Sequence, residues 1–412
     1  MAFLSLLDDR AKPKGSRDPL GFELVWTHFG RKVVGNLTTI TSSMDNFAVA
    51  ILGFYWAEQR AAGLSEQDRH EHIKHSFLRY EQLTGYLRCL AGAGDVLGIT
   101  RVRQRLEKNE PLSLGLATGQ QILSDQASYG LWGLYSAAAR DTGLVEGQDR
   151  IPTTLGRELA EMILARLGSQ ATALQALIDS GRPFRKGQLE SLAGSFIEAI
   201  RQPALQERLL ECLMAGPPGH QLQRAFWREV RTLVNGKARS ALADYVALID
   251  AVLARTSDLA LKEELLAIKA IERAMVAAND LFNLCRRKDG APMAEVIQWL
   301  EANRNYDFLP AEIPADPHMP RRQALGQIHG LLRSGDITGA LAEVLALNRD
   351  VMQQRGGAPW VEVENGKTLR VRVKTETIQI PGQKDLEHRW DYDYFIGSFL
   401  SIARQQGKFA NG

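Results

Sequence analysis

Between Pro19 and Pro111 the chain carries no proline. A proline inside a helix removes one hydrogen bond and clashes with the preceding turn, so a stretch this long without one leaves room for unbroken helices. The residues fill it accordingly. Asp18 to Val33 reads as an amphipathic helix, with Asp18 as cap and Pro19 at its first position. Gly35-Asn36 breaks it. Ser42 or Ser43 then caps a helix that runs through Trp56 and is apolar on most sides, which marks it as buried and as the centre of the N-terminal region. Its most apolar part, Phe47 to Ala57, is well short of the ~20 residues that span a bilayer. Ser65 and Asp68 have capping-box spacing, with Asp in place of the usual Glu. Ile73, Phe77, Tyr80, Leu83 and Leu87 follow at helical spacing until the glycines of Ala91 to Gly98.

The remainder reads as helical up to a late change of character. Ser257 to Arg286 keeps Leu261, Leu265, Ile268, Met275, Phe282 and Cys285 close to one face, and Arg239 to Leu253 before it makes an antiparallel partner. Pro217-Pro218-Gly219 marks a joint, and Pro310, Pro314, Pro317 and Pro320 an ordered connection or linker. Trp360 to Val373 then signals a β-hairpin around Asn365-Gly366. A two-residue turn places Glu364 opposite Lys367. It sends Trp360, Leu369, Val371 and Val373 to one face and Thr368, Arg370, Arg372 and Lys374 to the other. A last helix is expected from Asp393 to Gln406. The fold class is therefore mainly α: a multi-helix scaffold with an embedded winged helix and a small C-terminal β-hairpin. The expected segments are 1–110, a winged-helix module over 111–170, a helical domain over 171–309, and a helix with the hairpin over 321–412.

Composition narrows the function classes. The 412 residues are 45% hydrophobic, enough for a sizeable core and too many for a disordered chain. Fifty Lys and Arg against 48 Asp and Glu give a formal charge of +2, so nucleic-acid contact would have to come from local patches. Three scattered cysteines, Cys89, Cys212 and Cys285, argue against a disulfide framework or a cysteine zinc site and read as core residues. From Met1 to Gly15 the charges follow the apolar run, the reverse of a secretory signal. A cytoplasmic setting is expected, without membrane or cofactor.

Asp125 to Arg140 reads as a helix ending at Asp141-Thr142-Gly143. Leu144-Val145 begins a strand, Glu146 to Asp149 turns, Arg150-Ile151 returns, and Thr153 or Thr154 caps another helix over Thr-x-x-Gly-Arg-x-Leu-Ala. This order resembles winged-helix domains of the MarR-like kind, and Gly143 to Ala160 is similar to their "GLI … LTpkGreLa" signature, with Pro152 where leucine is more usual. The resemblance implies a recognition helix in the major groove and a wing on phosphate, with Arg140 and Arg150 as contacts. Yet Tyr129 to Ala139 carries no Arg or Lys, which suits a module used for packing or protein contact.

Three further stretches, "DPLGFELVWTHFGRKVVGNLTTITSSMDNFAVAILGFYW", "YGLWGLYSAAARDTGLV" and "FIGSFLSIARQQG", resemble a poorly characterised family of prokaryotic proteins found beside helicases, methyltransferases and nucleases in anti-phage defence islands. Relatives tend to carry an arginine before the second helix, where this chain has Ser43-Met44-Asp45. The resemblance implies a defence-system subunit whose partners are a helicase, nuclease or ATPase, with double-stranded DNA as a further partner, and it carries no catalytic residue.

Other candidate residues stand on spacing alone. His70, His72 and His75 form the one histidine cluster; Asp68 with His72 and Glu71 with His75 share helix faces and could grip a metal from one side, although the blander reading is a titrating polar face. Arg101, Arg105 and Lys108 form a basic stripe, and Arg370, Arg372 and Lys374 a second on the hairpin; each reads as a phosphate contact or as ordinary surface charge. Asp391 and Asp393, after Glu387-His388, offer acid–base or metal chemistry, or more cheaply a helix cap. The favoured expectation is a non-enzymatic adaptor of a defence system. A metal-dependent nuclease and a winged-helix transcription regulator are the alternatives.

Overall fold

The computed structural model describes residues 18–108, 110–235, 244–374 and 378–405. It is mainly α: nineteen helices and two antiparallel sheets of two strands each lie among these residues. None of the described helices is long and apolar enough to cross a membrane. The chain forms two compact units, each assembled from separated stretches. One takes 34–235 with 395–405, the other 18–33 with 244–394.

At the centre of the first unit is the helix Met44–Arg60, buried from Met44 through Trp56 apart from Tyr55. Ser43 caps it, accepting from Asn46 N at 3.2 Å. The helix Glu66–Leu90 lies along it, with Phe54 stacked on Phe77 at 4.6 Å between centroids. Gly53 makes this approach possible, because a Cβ there would stand 2.5 Å from the Tyr80 ring. Ser65 caps the second helix as its spacing predicts, accepting from Asp68 N. Asn36 at the helix break is fully buried. It donates to Thr142 Oγ1 and the Leu213 carbonyl, both at 2.9 Å, and accepts from Gln223 Nε2. A buried amide is tolerable only when satisfied in this way.

The expected single helix over Asp125 to Arg140 is instead three short ones, Gln126–Tyr129, Leu131–Leu134 and Ser136–Asp141. The break at Gly130 is imposed by Glu81, a buried residue of the Glu66–Leu90 helix. Its carboxylate accepts from Leu131 N at 2.6 Å and from Gln126 Nε2 at 2.9 Å. A Cβ at Gly130 would sit 2.6 Å from that carboxylate. The wing follows, with Val145–Glu146 paired to Ile151–Pro152. Thr153 then caps Thr154–Leu167 as expected, accepting from Gly156 N. The glycine of the signature has a physical cause: a Cβ on Gly156 would lie 2.1 Å from the Leu144 carbonyl oxygen. The last helix of this unit starts at Ile396 rather than Asp393, because Tyr394 and Phe395 have φ of 50° and 61°, outside the helical region. It runs to Ala403, and Gln406 lies outside the described residues.

The 29-residue helix Leu259–Arg287 is the spine of the other unit. Glu23–Val33 lies against it and starts five residues after Asp18. Asp18 caps the intervening turn rather than the helix itself, taking Phe22 N at 2.7 Å and Glu23 N at 3.1 Å. The helix expected over Arg239 to Leu253 is Tyr245–Arg255, capped by Asp244; Arg239 to Ala243 lie outside the described residues. Asp280 and Arg304 form a buried two-pronged ion pair at 2.7 and 3.1 Å, which Tyr306 Oη joins at 3.1 Å.

The hairpin pairs Val361–Glu364 with Thr368–Val371, one residue out of the expected register: Glu364 faces Thr368, not Lys367. Asn365 and Gly366 do adopt positive φ. Lys367 is the extra residue, its carbonyl accepting from Met293 N at 2.8 Å and its N–H bonded to the Glu364 carbonyl at 3.0 Å. Because side chains alternate faces, a one-residue slip exchanges them. Val361, Val363, Leu369 and Val371 now share one face, and Glu362 and Glu364 join Arg370 on the other. The outer edge of the second strand is covered by 290–293, through Gly290 N to Leu369 O and Leu369 N to Ala291 O.

Candidate functional site

The hairpin slip decides the fate of the strongest expected cationic patch. Arg370 binds Glu364 at 2.5 Å, Arg372 places Nε and Nη2 on Glu362 at 2.8 and 2.6 Å, and Lys374 meets Asp289 at 2.6 Å. The face carries matched charge rather than three projecting cations.

The other expected contacts divide in the same way. Arg105 is a clamp inside its own unit, donating to the carbonyls of Gly119, Gln120 and Gln121 at 2.6, 2.6 and 2.8 Å and to Tyr86 Oη. Arg150 stacks over Trp132 at 3.9 Å and donates to Ser136 Oγ, so it braces the wing. Lys108 and Arg140 are exposed and Arg101 is half-buried. The histidines do not converge. His70 Nδ1 meets Asp149 of the wing turn at 2.6 Å, and His75 pairs with Glu71 at 3.1 Å. Among the described residues no group of three or more His, Cys, Asp or Glu is arranged to hold a metal. Of the cysteines, Cys285 is buried, and burial pushes its thiol up to about 12; Cys89 and Cys212 are only half-buried.

Asp391 and Asp393 cap no helix. Asp391 pairs with Arg389 at 2.5 Å and accepts from Asn279, while Asp393 accepts from Tyr245 Oη at 2.9 Å. Their segment closes over Glu272, a fully buried carboxyl that accepts from Asp391 N, from Tyr392 N at 3.3 Å and from Tyr394 Oη at 2.8 Å. Burial pushes the Glu272 carboxyl up to about 8 and that of Glu81 to about 7.

In the unit built on Met44–Arg60, a polar cleft of about 750 Å³ opens beside Ser42 and Ser43. Its carboxylates are answered: Asp45 binds Arg201 at 2.7 Å, and Asp95 binds buried Arg88 at 2.8 Å. A mostly apolar groove of about 610 Å³ near Leu177, Phe184 and Leu192 has Arg182 as its one charged lining residue.

The groove with a distinct chemical signature lies in the other unit and measures about 560 Å³. Its apolar lining takes Phe29 from Glu23–Val33, Ala267, Ala270 and the exposed Leu266 from the long helix, and Ile313 and Pro314 from the proline-rich connection. Glu263, Glu264, Glu312 and Asp316 line it, against one ammonium, Lys32. That lysine is already engaged, at 2.8 Å from Asp316 and 3.2 Å from Glu264. Burial opposes its charge, but the two carboxylates outweigh burial and raise its pKa. Hydrogen bonds from Lys32 and then His28, the latter at 2.7 Å, hold the Asp316 carboxyl well below the usual carboxylate range. Beside the groove Leu266 is 55% exposed, and Leu259, seven residues back on the same helix face, is 78% exposed. Isolated exposed leucines are ordinary; these two share one helix face, with Lys262 and Glu263 between them. Leu261, Leu265 and Ile268 mark the buried face of this helix in the sequence. The available signal was that Leu259 and Leu266 fall on the opposite one.

No family model matches the chain, and neither does any curated protein or solved structure.

Proposed function

We propose that the protein is a non-enzymatic, cytoplasmic subunit or adaptor of a multi-protein prokaryotic antiviral defence system, holding a partner protein through its own surface. The observation that carries this reading is the acid-lined groove flanked by Leu259 and Leu266, since an exposed apolar surface with a polar rim is the mark of a protein contact. The internal pairing of Arg370, Arg372 and Lys374 supports it over a role resting on DNA alone. The full chain, co-expressed with the products of its neighbouring genes, co-purifies with one of them in fixed ratio. Purification alone, with metal-dependent cleavage of DNA or RNA, would overturn the proposal in favour of the nuclease alternative.

A second reading, the winged-helix regulator, draws on the helix, two-strand wing and helix order from Ser136 to Leu167. It requires binding to the chain's own promoter that is at least about a thousandfold tighter than to random duplex.

A further inference from the structure

The groove beside the long helix combines apolar lining side chains with four carboxylates, and its exposed Leu266 shares a helix face with exposed Leu259. We propose that it receives a cationic amphipathic helix of a partner protein, apolar side against Leu259 and Leu266 and lysines or arginines toward Glu263 and Glu312. The inference rests on the adaptor reading and names the partner's chemistry.

Three features select this occupant. Leu259 and Leu266 are seven residues apart on one helix, a rise of ~10 Å with only ~20° of angular drift. That spacing matches anchors at i, i+3, i+4 and i+7 on a helix laid alongside. Four carboxylates face the groove, and its single lysine is held by two of them, so an incoming anion would meet repulsion and an incoming cation attraction. Glu263 and Glu312 are both exposed at the rim, where they can reach a ligand without first breaking an internal pair shown for them. An acidic or purely apolar partner would leave these charges unanswered.

The test uses the full chain and a synthetic helix of about five turns with leucines at i, i+3, i+4 and i+7 and lysines flanking them. A control peptide carries glutamate in place of each lysine. The lysine peptide binds, and raising KCl from about 50 to about 500 mM weakens it about tenfold. The Leu259→Ser/Leu266→Ser variant weakens it by about tenfold or more. The Glu263→Lys/Glu312→Lys variant loses the lysine peptide and gains the glutamate one. All four side chains are exposed, and far-UV circular dichroism verifies that both variants fold. The inference is overturned if the wild-type chain ignores the lysine peptide, binds the glutamate peptide equally well, or if neither variant changes the affinity. It is also overturned if sedimentation shows the chain dimerising through the two leucines, since a second copy would then be the occupant. The adaptor reading fails separately, when no neighbouring gene product co-purifies although the peptide still binds.

Discussion

Replacing Glu272 with glutamine isolates one buried proton. The carboxyl has no exposed surface, and burial raises its pKa to about 8 from an ordinary 4.5, with the nearby Asp391 charge acting in the same direction. The folded state thus binds this proton more tightly than an opened state does. Its stabilising contribution is complete below about pH 4.5 and is lost as the pH climbs toward 8, at a slope of no more than about 1.4 kcal/mol per unit. The group accepts from the amides of Asp391 and Tyr392, so those amides report it directly. Glutamine keeps an oxygen for both amides and does not ionise. Hydrogen exchange followed by mass spectrometry, divided by the intrinsic rate at each pH, gives the protection of the 389–394 segment. In the wild-type protein that protection falls between about pH 5 and pH 8, by up to about tenfold per unit; in Glu272→Gln it stays level. Glu81, the other raised carboxyl, belongs to the other unit and bonds Gln126 and Leu131 rather than these amides. Parallel slopes in the two proteins would refute the assignment of the proton to Glu272.

Asp280→Asn removes one partner of an ion pair whose side chains are 1% and 3% exposed, and costs about 3–5 kcal/mol, read from the urea midpoint of the full chain. Gly156→Ala lowers the melting temperature even though alanine is the better helix former by ~1 kcal/mol, because the added carbon meets the Leu144 carbonyl at 2.1 Å. Charge reversal at Arg370 and Arg372 leaves salt-dependent duplex binding, followed by fluorescence anisotropy, within about twofold of wild type, since both cations are already paired.

Local chemistry was legible before the fold. The cap at Ser65 is legible outright, and those at Ser43 and Thr153 to within one residue (Ser42 or Ser43, Thr153 or Thr154), because a cap is a relation between residues three apart. The breaks were not legible where their cause is distant. Nothing between Gln126 and Asp141 reports that Glu81 needs the amide of Leu131. The hairpin was visible but its register was not, because the bulge at Lys367 is secured by Met293, far back in the chain. The groove is assembled from residues near 30, near 266 and near 314, so no single window contains it.

The interleaving of the two units has a consequence for synthesis. Val25, Phe29 and Val33 bury themselves in a unit whose spine begins at Leu259, roughly 226 residues later (259 less 33). At ~5–20 residues per second, the early helix leaves the ribosome about 10–45 s before that spine exists. Residues 34–235 can collapse during this interval, yet their closing helix, Ile396–Ala403, is made after everything else described. Each unit therefore waits on the other's translation, and a nascent chain stalled midway presents two unfinished cores to whatever chaperone it meets.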